Sequence, residues 1–119
     1  MFDAKLVLQQ LVQSPNAQAI LSRFVGAKKF LQSSNEQFVS FQFTAKSLNK
    51  SNHCKIKLNS NDTYSLIFGK VGNKQDPVSK EMGLKVMMPY YDEIETIEYV
   101  YFDQLKEIFE NKTGLYLSL

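Results

Sequence analysis

The middle of the chain alternates apolar and polar residues with a period of two, whereas both ends repeat apolar residues every three or four positions. Those periods belong to a strand with one buried face and to an amphipathic helix. Near the start, Asp3 can cap a helix in which Ala4, Val7, Leu8 and Leu11 share a face, ending near Gln13. Ser14-Pro15 then predicts a fresh start, with Ser14 as cap and Pro15 in the first turn. Ala17, Ile20, Leu21 and Phe24 supply a second stripe, and Gly26 a stop. Helices this short are marginal alone and need an apolar surface to pack on.

That surface is predicted from Phe38 onward. Val39, Phe41, Phe43 and Ala45 point one way, and Phe38, Ser40, Gln42 and Thr44 the other. After a polar connection, Cys54, Ile56 and Leu58 alternate with Lys55 and Lys57. Tyr64, Leu66 and Phe68 resume the rhythm beyond the turn residues Asn59 to Asp62, which predicts an antiparallel hairpin. Polar and breaker residues from Gly72 to Gly83 predict a loop, and Leu84, Val86 and Met88 a fourth strand ending at Pro89. Tyr90 to Thr96 reads either as an extended segment or as the lead-in to a helix capped by Thr96. Phe102, Leu105, Ile108 and Phe109 form the last helical stripe, closed by Thr113-Gly114; Leu115 to Leu119 predicts a short strand or an apolar tail. The expectation is a single α+β domain spanning residues 1–119. It has two N-terminal helices, an antiparallel sheet of about four strands and a C-terminal helix on the same sheet face.

Composition narrows the class. Hydrophobic residues make up 44% and charged residues 22%, with nine Phe and six Tyr, so the chain can bury a core and is far from the signature of disorder. Met1-Phe2-Asp3-Ala4-Lys5 lacks the apolar stretch of a signal peptide, and no run is long enough for a membrane span, so neither export nor insertion is expected. One cysteine, Cys54, and one histidine, His53, exclude an internal disulfide and a thiolate-rich zinc site, and fit a reducing cytoplasm. The net charge of +2 hides an asymmetry: residues 1–89 sum to +7 and residues 90–119 to −5. Two fields of opposite sign on the surface, or mutual neutralisation in the fold, both follow from that distribution.

Gly26-Ala27-Lys28-Lys29-Phe30, Lys55 to Tyr64, Asp103 to Phe109 and Thr113-Gly114-Leu115-Tyr116 resemble, in order and spacing, a group of small uncharacterised bacteriophage and prophage proteins. Thr63 and the segments Ser14 to Gln18 and Tyr90 to Glu95 depart from the group. The resemblance implies a phage or prophage origin and a site of action in the cytoplasm of a bacterial host. The group has no established activity, so it implies no catalytic or binding residue.

The residues themselves argue against catalysis. A Cys54–His53 dyad is incompatible with adjacent strand positions, which face opposite ways. Asp92, Glu93, Glu95 and Glu98 lack the alternating acids and central glycine of a metal loop, and Gly69 and Gly72 precede no helix that would cradle phosphate. No enzyme activity, cofactor or metal is therefore expected. A binding role is, and two surfaces compete for it. Tyr90, Tyr91, Asp92, Glu93 and Glu95 combine aromatic area with carboxylates and suit a host or phage protein. Alternatively, Lys46, Lys50, Lys55, Lys57 and Lys70 form a basic stripe on the exposed sheet face for nucleic acid, with Phe38 the one aromatic predicted beside it. The tyrosines can equally cover the edge of the core, and the lysines serve solubility.

Overall fold

The computed structural model describes residues 2–117. Helix α1, Ala4–Val12, starts where the Asp3 carboxylate accepts the Leu6 N–H at 3.1 Å, and it buries Ala4, Val7, Leu8, Leu11 and Val12. Helix α2, Ala17–Val25, ends at Gly26 as the pattern predicts, but its cap position is Asn16, not Ser14. Pro15 disfavours helical backbone at Ser14, so the chain turns there and the Asn16 carbonyl accepts the Ile20 N–H at 3.0 Å instead.

Five strands follow: β1, Lys28–Ser33; β2, Phe38–Gln42; β3, His53–Leu58; β4, Tyr64–Gln75; and β5, Met87–Val100. They form an all-antiparallel sheet in chain order β1-β2-β3-β4-β5. Between β4 and β5 lies a short helix α3, Pro77–Glu81, and after β5 a 3₁₀ turn at Phe102–Gln104 leads into helix α4, Leu105–Thr113. The chain is α+β.

The hairpin register is as the alternation predicts, with Leu58 opposite Tyr64, Ile56 opposite Leu66 and Cys54 opposite Phe68. These residues join Val39 and Phe41 of β2 in one core with the apolar stripes of α1, α2 and α4. Phe109 of α4 sits at its centre, with ring centroids 5.9 to 6.3 Å from Phe41, Phe43 and Phe68. Among the described residues no helix packs on the other face, where Lys57 and Leu31 stand exposed.

Several expectations need correcting. There are five strands, because β1 carries no clean alternation and owes its form to pairing with β2. The strand predicted to run to Ala45 stops at Gln42, although Phe43 remains buried; the Thr44 and Ala45 N–H groups turn to the Val25 carbonyl, each at 3.1 Å. The predicted loop after Gly72 is strand to Gln75 followed by α3. β5 starts at Met87 and passes through Pro89, which an edge strand tolerates because a missing N–H costs least there. Leu84 and Val86 therefore lie in the connection, about half exposed; Tyr90 to Thr96, open to two readings in the sequence, takes the extended one as part of β5. Phe102 is 60% exposed in the 3₁₀ turn and leaves the buried stripe to Leu105 and Phe109. Of the two readings of the C-terminal segment, the apolar tail holds over Leu115 to Leu117, which forms no strand and buries Leu117 in the core; residues 118–119 lie outside the described residues.

Candidate functional site

β3 ends its pairing with β4 at His53–Gly69. From there β4 and β5 continue alone as a two-stranded arm, with rungs from Lys70–Asp92 to Gln75–Met87. The molecule measures 51 × 33 × 21 Å as a result, long for its size. At the arm's root the Asn52 side chain prolongs the ladder of β3. Its Nδ2 donates to the Val71 carbonyl at 2.9 Å and its Oδ1 accepts the Val71 N–H at 2.8 Å, copying a backbone unit. At the same place the register shifts: Phe68 pairs with Glu95 but Gly69 with Glu93, leaving Ile94 as the extra residue of a bulge.

The two glycines that offered no phosphate cradle are seats for the two tyrosines. A Cβ on Gly72 would meet the Tyr90 ring at 2.8 Å, and one on Gly69 would collide with the ring of Tyr91. Each ring thus lies across a strand position that has no side chain, on opposite faces of the arm. Tyr90 shares its face with Lys74, whose ammonium is 5.8 Å from the ring centroid. Tyr91 lies on the open face of the sheet, edge-on to His53 at 5.4 Å. Burial, then Glu93 and Cys54, pushes the Tyr91 phenol above its ordinary range.

Strand alternation therefore divides the predicted acidic-aromatic group. Tyr90 and Asp92 occupy one face, with Asp92 directly across from Lys70; Tyr91 and Glu93 occupy the other. Glu95 turns toward the helices and pairs with Lys112 of α4 at 3.2 Å. The lysines divide in the same way. Lys55 and Lys57 share the open face, and the Lys55 ammonium stands 4.2 Å above the Phe38 ring. Lys70 lies on the arm's opposite face, beside Asp92. Lys46 and Lys50 sit in the β2–β3 connection, which Leu48 ties to α4 through its N–H to the Thr113 carbonyl at 2.7 Å. Acidic and basic regions thus meet along the arm.

Cys54 and His53 face opposite sides of the sheet. Cys54 is fully buried, and burial pushes its thiol far above the ordinary range. His53 has its Nδ1 buried without a hydrogen-bond partner; burial, then the Lys55 charge, lowers its pKa. Among the described residues no three His, Cys, Asp or Glu side chains come together to hold a metal ion, and no helix is long and apolar enough to cross a membrane.

Sequence reading missed the tip of the arm. Asp76 caps α3, its backbone N–H donates to the Val86 carbonyl at 2.8 Å, and the Leu84 N–H reaches the Ser79 carbonyl at 2.8 Å. Ser79 is buried, its hydroxyl donating to the Asp76 carbonyl at 2.9 Å. The apolar side chains point outward instead: Val78, Met82, Leu84, Val86 and Met87 are all about half exposed or more, Met82 at 69%. The available signal was Val78 and Met82, two large apolar residues in a predicted loop that gave them no role; Leu84 and Val86 were expected on the inward face of a strand and stand in solvent instead. Searches against protein families, curated proteins and solved structures return no match for this chain.

Proposed function

We propose that this chain is a non-catalytic binding protein that presents its arm to an apolar groove on a protein partner. The tip carries the reading because Gln75, Asp76, Ser79 and the backbone are hydrogen-bonded internally, while its aliphatic side chains stand in water on that frame. Isolated exposed apolar residues are ordinary, but five gathered between Val78 and Met87 at a projecting tip suit an interface. Methionines add surface that adapts to the groove, and the stem offers Tyr90, Asp92 and Glu93 to its polar rim. The resemblance to phage proteins supports a partner in a phage or its bacterial host.

The test places a photo-cross-linking residue at Met82 and, as a control, at Lys57. A partner cross-linked from Met82 alone, and lost from the Met87→Asp variant, is the expected result. Equal capture from both sites, or capture unaffected by Met87→Asp, overturns the reading. As surface changes, these substitutions should shift stability by no more than ~0.5 kcal/mol.

One observation favours a second reading. Tyr91 joins His53 and Phe38 on the open face, beside Lys55 and Lys57, so flat rings and cations share a surface of the kind that stacks single-stranded bases. Retention on a single-stranded oligonucleotide that weakens steeply with salt and disappears in Phe38→Ala/Tyr91→Ala supports it. Absence of retention at low salt removes it.

A further inference from the structure

A cleft of about 700 Å³ opens between the first turns of α1 and α2 and the edge strand β1. Leu8, Ala19, Phe30 and Val39 are among its apolar lining, and Lys5 is the one charged side chain among the described residues that line it. Three consecutive β1 residues, Phe30, Leu31 and Gln32, border it. Successive strand residues face opposite ways, so a cavity that touches all three reaches the backbone edge itself. That edge is free: β2 is the sole neighbour of β1 in the sheet of the described residues. Leu31, 64% exposed, stands on the far face of the same edge. An edge strand with unpaired backbone groups, an apolar hole on one face and an apolar side chain on the other are what strand addition uses.

The geometry points to a second binding site here, for an extended peptide segment of another protein that adds as a sixth strand beside β1. The peptide inserts an aliphatic side chain into the cleft and carries carboxylates on either side of it. Charge selects this occupant. Lys5 flanks the cleft, Lys28 and Lys29 are exposed at the start of β1, and no Asp or Glu lines the cavity among the described residues. A second copy is disfavoured because a two-fold pairing of β1 edges sets the first half of one strand against the second half of the other, and the first half is spoiled by the irregular pairing between Lys28 and Leu31, with Lys29 at φ +56°. Leu31 to Ser33 keeps a regular register with β2 and is the template.

Selection of a random linear heptapeptide display library on the full chain tests the site. The enriched peptides are expected to share an aliphatic residue flanked by Asp or Glu, and to slow amide exchange at Phe30 to Gln32. Ala19→Phe, which fills the cleft from an exposed helix position, and Lys5→Glu should each weaken such a peptide about 10-fold or more, with unchanged circular dichroism. Met87→Asp should leave it untouched, which separates this site from the arm. No enrichment over bare resin, a basic consensus, full binding to both Ala19→Phe and Lys5→Glu, or self-association with exchange protection at Phe30 to Gln32 each overturns the proposal.

Discussion

The helix-covered body and the arm share two strands, β4 and β5, yet they hold together by different physics. In the body, β4 contributes Leu66 and Phe68 to a core sealed by α1, α2 and α4, and stability comes from apolar area removed from water. Past Gly69 the same strand has solvent on both faces, and what remains is a ladder to β5, the Asn52 bridge and two rings resting on glycines. A protein can thus place an exposed, ordered surface well beyond its core, provided backbone and amide hydrogen bonds carry the order. The cost is that the arm should open locally long before the body unfolds.

The largest expected effect is in the body. Phe41 is wholly buried and packs against Phe30, Phe43 and Phe109, so Phe41→Ala should lower stability by ~3–5 kcal/mol in urea melts. A loss below ~1 kcal/mol would put that face outside the core. Next comes the arm. Gly69→Val drives a side chain into the Tyr91 ring and should cost ~1–3 kcal/mol. The loss should show as faster amide exchange from Lys70 to Gln75 with exchange in β2 and β3 unchanged; a matching acceleration in the body would erase the distinction between the regions. The smallest effect lies at the junction. Burial and Lys55 hold the His53 imidazole below the free-ring value of 6.5, so the unfolded chain binds its proton at higher pH than the folded one. The stability this contributes is complete above pH 6.5 and declines as pH falls through the folded-state midpoint. His53→Gln should flatten the decline, and a ring titration by NMR with a midpoint above 6.5 would contradict it.

The same contrast explains what was legible in the sequence. Where one face of an element is buried, the buried period is written in the residues: α1, the hairpin around Asn59 to Asp62 and α4 from Leu105 onward all read correctly from it. The arm has no buried face, so its polar and breaker residues imitate a loop, and only partners on the other strand reveal it. β1 failed for a related reason, since its form depends on β2 and not on its own pattern. The candidate site was half legible. Tyr90 and Tyr91 were singled out, but their seats, Gly72 and Gly69, lie about twenty residues away in the chain and become neighbours only through the β4–β5 register.

Ile94 decides more than its own position. In an unbroken ladder continuing outward from Glu95, odd and even would have delivered Tyr90 to the side of His53, with Tyr91 beside Lys74. Spending one residue without a partner at the root reverses that parity for everything distal to it on β5. Which ring meets the sheet, which carboxylate meets Lys70 and which methionine accompanies each are thus set together, far from the residues they concern.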